Sequence, residues 1–156
     1  PDVDPLRVPD AIDESELMDV LIDVRREYAG LLLYAGGSLQ LDVGNAFLLV
    51  ARRLSALTWS RPMGPAPGEL AAHYVGGTAP MPVNGSCRFD LIGVMGGDIG
   101  LEAASMSFYA LDMPGMDEPM PLYDDPDVAR IEAGVVTFDK AATPIAASHW
   151  NTSQRG

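Results

Sequence analysis

The sequence predicts an α+β domain: an N-terminal antiparallel helical hairpin, then a small, mainly antiparallel β-sheet with long Pro/Gly-rich loops. Three observations carry that expectation. Apolar residues recur at i, i+3, i+4, i+7 spacing from Leu17 to Ala35 and again from Leu39 to Leu57. A Pro-rich segment at 61–68 ends that pattern. Beyond it, two runs of strand-type residues flank Gly96-Gly97-Asp98. At 156 residues the chain suits a single domain, 1–156, long enough to bury a core.

Residues 1–12 carry three prolines and three aspartates without periodicity, and predict an extended N-terminal arm. The helical hairpin is placed at 13–60. Asp13 opens it as an N-cap, with Glu16 three positions on to complete a capping box. Leu17, Val20, Leu21, Val24, Tyr28, Leu31, Leu32 and Ala35 then form one apolar stripe, which Gly36-Gly37 terminates. Ser38 caps a second helix with a stripe through Val43, Ala46, Phe47, Val50, Leu54 and Leu57, although Leu39–Val43 alternates well enough to be a short strand. Residues 61–142 form the β-rich part. Arg88–Met95 and Ile99–Leu111 predict two strands of a hairpin, and Val135–Asp139 predicts a third. Between them, residues 112–127 hold four prolines and six acids with no base, and predict a long acidic loop. Residues 143–156 predict a C-terminal arm.

Charge narrows the possible partners. The formal net charge is −12, from 22 acidic and 10 basic residues, and Lys140 is the sole lysine. Phosphates and anionic headgroups are bound through Lys and Arg, so direct nucleic-acid and membrane binding are disfavoured. The acids are unevenly spread: residues 1–27 hold nine against three arginines, whereas 31–88 hold only Asp42 and Glu69 against four arginines. The acidic, Pro-rich start predicts no signal peptide, and the uncharged stretch from Leu70 to Cys87 is interrupted by Gly76, Gly77, Pro80 and Pro82. A cytoplasmic or virion location follows as the expectation. Cys87 is alone, which excludes an intrachain disulfide and a Cys-based zinc site.

Candidate chemistry is sparse. Met113, Met116 and Met120 in the acidic loop are thioethers at a spacing that suits Cu(I), but flexible apolar side chains that pack a Pro-rich loop fit the same pattern better. They are weak metal candidates, and no cofactor is expected. Gly93, Gly96, Gly97 and Gly100 match neither the dinucleotide nor the Walker pattern, lack a lysine and surround Asp98, so a hairpin turn is expected there. His73 and His149 stand apart, without helix ligand spacing or a nucleophile elbow. Asp42, Asp90 and Glu102 are the acids most closely flanked by apolar residues, where burial would perturb them. An amine at Pro1 would be held in its charged form by Asp2 and Asp4, and the glycosylation triplets at Asn84 and Asn151 are too short to carry meaning. No catalytic residue is expected.

These features favour a non-catalytic structural subunit of a larger symmetric assembly, such as a virion shell, decoration or connector protein. Its partners would be copies of itself and other assembly proteins. The terminal arms would lie on neighbours, with Asp112, Met113, Met116, Met120, Tyr123 and Trp150 as contact residues. The alternative is a small binding or accessory module, holding a soft metal or a basic partner through the Met-rich acidic loop. An enzyme with an unrecognised site ranks below both.

Overall fold

In the computed structural model of this chain, residues 13–60 form strands rather than a helical hairpin. The structure describes residues 3–60, 72–116, 120–121, 123 and 127–151. Among the described residues, seven strands and one short helix give 54% strand and 5% helix, which replaces the expected α+β hairpin architecture with a mainly antiparallel β fold. In chain order these are β1 (Glu16–Asp23), β2 (Tyr28–Tyr34), β3 (Ala46–Trp59), β4 (Val75–Val83), β5 (Ser86–Gly93), β6 (Ile99–Asp112), α1 (Val128–Gly134) and β7 (Thr143–Asn151).

The helical expectation failed for a physical reason. Helical spacing is diagnostic when one face is polar, but β2 is apolar on both faces. Leu31 and Leu33 enter one core cluster and Leu32 enters another on the opposite side. Such a run satisfies the spacing of a helix and of a doubly buried strand equally well. Asp13 and Glu16 form no capping box: Asp13 lies in a turn, and Glu16 opens β1 and is buried. Asp23 turns the chain between β1 and β2, its Oδ1 accepting from the N–H groups of Arg25 and Arg26, both at 3.0 Å. Glu27 completes that turn in the left-handed region, at φ 53°.

The sheet order is β1-β2-β3-β6-β5-β4, with every pair antiparallel. Its two ends meet. Leu17 N–H donates to His73 O at 2.8 Å, Val75 N–H to Ser15 O at 2.8 Å and Glu14 N–H to Val75 O at 2.9 Å, while Glu16 and Tyr74 form an antiparallel bridge. Asp10 extends this seam, its backbone N–H donating to Thr78 O at 3.0 Å and its carboxylate accepting from Thr78 N–H at 2.9 Å. The result is a closed, barrel-like sheet. Its interior holds Leu31, Leu33, Phe47, Leu49, Phe89, Leu101 and Phe108, among others, with the Phe47 and Phe108 rings 5.3 Å apart.

β3 and β6 pair along almost their whole lengths, from Ala46↔Leu111 to Trp59↔Ile99. Arg53, at φ 52°, marks a bend in this ribbon. On one side of the bend β6 pairs β5 through Ile99–Ala103, and on the other it pairs β7 through Ser105–Asp112. The predicted strand pair around Gly96-Gly97-Asp98 is present, with both glycines at positive φ (79° and 82°) where a side chain would be strained.

The segments expected to be peripheral are seated on the barrel. Leu6 and Ile12 of the N-terminal arm are buried in the main core, and Arg7 Nη2 donates to His149 O of β7 at 3.1 Å. The described part of the C-terminal arm is β7 itself. Val135–Asp139 is not a strand: Val135 caps α1, and the rest is turn and irregular backbone. The described residues of the acidic loop cover the outer face of the sheet, where Met113 and Val136 pack with Leu32, Ala46 and Leu111. Asn45 anchors that cover, its amide exchanging two hydrogen bonds with the Met113 backbone at 2.9 and 3.1 Å. Lys140 ties it further, with Nζ donating to Gly115 O at 2.6 Å and to Ala133 O. The Pro-rich segment 61–68 lies outside the described residues. No helix among the described residues is long and apolar enough to cross a membrane.

The seam at Asp10 is directly testable. Its side chain bonds the N–H of a buried residue, and its own backbone sits at φ 60°. Asp10→Ala is expected to lower the free energy of unfolding by about 1–3 kcal/mol in urea titrations. Asp10→Asn keeps an acceptor and tolerates the left-handed region, so it should lose distinctly less.

Candidate functional site

Among the described residues the barrel seam ends at Leu17 and His73. A bulge between Leu17 and Asp19 inserts Met18 into the β1–β2 pairing. A cleft of about 500 Å³ lies beside it, lined by Leu17, Val20 and Ile22 of β1, Leu57 and Trp59 of β3, and Ile99 of β6. Val20 and Ile22 point inward because they pair with Leu31 and Ala29, both interior residues of β2. Asp19 and His73 are the polar side chains at its edge, and Asp19 Oδ1 accepts from Val20 N–H at 2.8 Å. The lining is therefore large, apolar and open to solvent: Val20 is 37%, Ile22 49% and Trp59 63% exposed.

Next to Leu17 in β1 is the one strongly buried acid among the described residues. Glu16 is 4% exposed and accepts a hydrogen bond from the Tyr123 hydroxyl, which also approaches Met18 Sδ at 3.6 Å. Burial raises the Glu16 carboxyl above its usual range, against the smaller opposing effects of the Tyr123 hydrogen bond and the charge of His73. Burial likewise pushes the Tyr123 phenol up, reinforced by its bond to Glu16. The pair is a lock: it holds the acidic loop against the start of β1. Glu16 was read from the sequence as a capping-box acid. Nothing local marks it as buried, because its cover comes from Tyr123, more than a hundred residues away.

A second depression, of about 410 Å³, shares Trp59 and Ile99 with the first and carries Arg88, Asp90, Asp98 and Ser60 among apolar residues. Its groups satisfy one another. Arg88 Nε bonds both oxygens of Asp90 at 3.0 Å, Gly93 N–H donates to Asp98 Oδ1 at 3.0 Å, and Asp98 N–H donates to Ser60 Oγ at 3.0 Å. Gly100 makes this possible, since a Cβ there would lie 2.6 Å from Thr58 Oγ1 and 2.9 Å from Asp90 Oδ1.

The residues singled out from the sequence are scattered. Met113 is buried in the outer core, and Met116 and Met120 pack against it as apolar side chains. Asp112 is exposed at the end of β6, paired with Thr143, and Trp150 packs on the main core from β7. His73 reaches the cleft. His149 lies elsewhere on β7, with Nδ1 3.0 Å from Ser107 Oγ, which also accepts from Arg52 Nη1 at 3.3 Å. Asp42 is exposed, and Glu102 is half-buried and accepts from Ser86 Oγ at 2.9 Å. The glycines from Gly93 to Gly100 form the β5–β6 turn. Asn84 lies in the β4–β5 turn and Asn151 ends β7, while Pro1 lies outside the described residues. Among the described residues, no three His, Cys, Asp or Glu side chains gather as a metal site.

Two measurements follow from this burial. The raised Glu16 carboxyl favours folding while protonated, so its contribution is present at low pH and lost as pH rises through the folded-state value. Glu16→Gln should therefore be at least as stable as the parent at pH 7, with the advantage vanishing near pH 4 in paired denaturation curves. Cys87 is buried and burial pushes its thiol up to about 11, so a disulfide-exchange reagent should leave it unmodified at neutral pH until denaturant is added.

No family model matches the chain, and no curated protein does. Among solved structures the chain is similar to an uncharacterized protein from Neisseria gonorrhoeae, at 9% identity and a TM-score of 0.45. The match covers 62% of this chain and 90% of that one.

Proposed function

We propose that this chain is a non-catalytic binding module whose cleft beside β1 receives an apolar group. The observation that carries this reading is the clustering of exposed Val20, Ile22 and Trp59 around one concave opening of about 500 Å³. Single exposed apolar residues are ordinary, but grouped ones lining a concavity mark a contact site. The chemistry around it supports binding over catalysis. His73 is the sole imidazole at the edge, Glu16 is bonded to Tyr123, and among the described residues the cleft holds no nucleophile paired to a base.

An assembly subunit of the kind expected from the sequence would use its two arms on neighbours. Residues 3–12 and 143–151 have partners on their own barrel, so they need no neighbour to be ordered. The assembly role is therefore placed second. Light scattering on the purified chain decides between them, since a large closed oligomer would favour assembly.

Pyrene, a neutral apolar fluorophore, tests the cleft directly. It should bind saturably and alter Trp59 emission, and Trp59→Ala should weaken it by about tenfold. Ile22→Thr keeps a β-branched residue in the strand and should weaken binding without shifting the melting temperature. Equal pyrene binding by both variants would place the ligand elsewhere.

A further inference from the structure

We infer that Arg52 and His149, drawn together over Ser107 on the outer face of the barrel, bind a small phosphate monoester. The three side chains come from neighbouring strands. Ser107 lies between Met106 and Phe108, both interior residues of β6, so it faces outward, where it pairs directly with His149 of β7. Its Oγ lies 3.0 Å from His149 Nδ1 and accepts from Arg52 Nη1 of β3 at 3.3 Å. Ser107 is 6% exposed beneath them, whereas Arg52 and His149 are both exposed. This is not the face of the cleft: Ile22 pairs with the interior residue Ala29, and Arg52 pairs with Tyr28 on the other side of the sheet. The two sites are therefore independent of one another.

The buried hydroxyl fixes which atoms a ligand would meet. A guanidinium has no acceptor, so the Ser107 hydroxyl hydrogen is satisfied by His149 Nδ1. The imidazole then carries a hydrogen on Nε2 whether neutral or charged, on the part of the ring away from Ser107. Tyr109 meets the same ring edge-on, with centroids 5.8 Å apart, and steadies its plane. Arg52 spends one N–H on Ser107 and has the rest of its planar fork to offer. Two donors from different strands are thus held by one oxygen, an arrangement organised in advance for an oxyanion.

Charge selects the ligand. The chain totals −12, yet four of its ten basic residues stand at this end of the barrel. Arg25 and Arg26 lie between β1 and β2, and Leu54 N–H donates to Glu27 O at 2.9 Å, which sets that turn beside Arg52 and Arg53. All four arginines are exposed. The acids within residues 23–28 and 50–54 are Glu27 and Asp23, whose Oδ2 accepts from Arg26 Nη1 at 2.8 Å. The fields of more distant carboxylates fade over a Debye length of about 8 Å in physiological salt, so the local excess of cations governs a bound ion. Four arginines against two acids suit a dianion, and guanidinium forks match the oxygens of a phosphoryl group.

The test titrates the full chain with glycerol 2-phosphate by calorimetry, at constant ionic strength and about pH 7.5, where a phosphate monoester is mostly dianionic. Binding should saturate, and acetate should bind at least about tenfold more weakly. Arg52→Gln should weaken phosphate binding by about tenfold, and Arg52→Lys by less, because lysine keeps the charge without the fork. Ser107→Ala should weaken it too and Ser107→Thr should restore it, as expected of a hydroxyl that positions the two donors. In NMR spectra the ring signals of His149 should move with added phosphate, while those of His73, the other histidine, stay in place. Absence of saturable binding, equal affinity for acetate, or an equal loss in Arg130→Gln, which removes the same charge from α1, would overturn the proposal. Vesicles of phosphatidylserine that bind through Arg52 while the soluble ester does not would overturn it in favour of a membrane surface.

Discussion

The pairing of β3 with β6 is the constraint on which the rest of the molecule depends. It runs from Ala46↔Leu111 to Trp59↔Ile99 and bends near Arg53. Every other strand reaches the barrel through one of these two, because β2 pairs β3 while β5 and β7 share the far edge of β6. The bend lets one ribbon serve two sheets. It also sends the tip of β3 past the barrel wall, so that Leu57 and Trp59 face the open stretch of β1 across the cleft. The site is thus a consequence of how the spine ends.

Acidity and apolar exposure are distributed in a way this architecture explains. The acidic loop is a lid on the outer face, held by Met113 in the outer core, by Asn45, by Lys140 and by the Glu16–Tyr123 bond. Its described acids, Asp112 and Asp127, are exposed while its thioethers pack against the outer core, which is the behaviour expected of methionine as an adaptable core residue. β1 is different. Its inner side chains face a gap and its outer edge faces no described strand, so aliphatic residues that would normally be covered are left in water. Such surface is retained at a cost to solubility, and it is the least expected feature of so acidic a chain.

Legibility varied with the range of the interactions involved. The turn at Gly96-Gly97-Asp98 was readable because its glycines act locally through positive φ, and β5 and β6 followed from it within a few residues. β1, β2 and β3 were misread because hydrophobic spacing reports which faces are buried, and β2 is buried on both. The arms were read as contacts for neighbouring subunits, whereas Leu6, Ile12 and Trp150 meet the core of their own barrel through strands distant in sequence. Of the cleft, only His73 drew notice from the sequence. Leu17, Val20 and Leu57 were assigned to helix stripes and Ile22 to none, and no local signal tells an inward-facing aliphatic residue beside a gap from one inside a packed core.

The sequence by itself determined the acidity, the lone cysteine, the scarcity of lysine and the turn chemistry, all properties carried by residue type or by immediate neighbours. It also determined that a large apolar core would form, since the aliphatic content requires burial. Only the tertiary structure decided that the core is a barrel, that Glu16 is sealed by Tyr123 and that β1 ends beside an opening. Those outcomes depend on pairing partners tens of residues apart, and on where the seam of hydrogen bonds between residues 10–17 and 73–78 stops. A linear pattern records which side chains avoid water, but not which strand will stand opposite them.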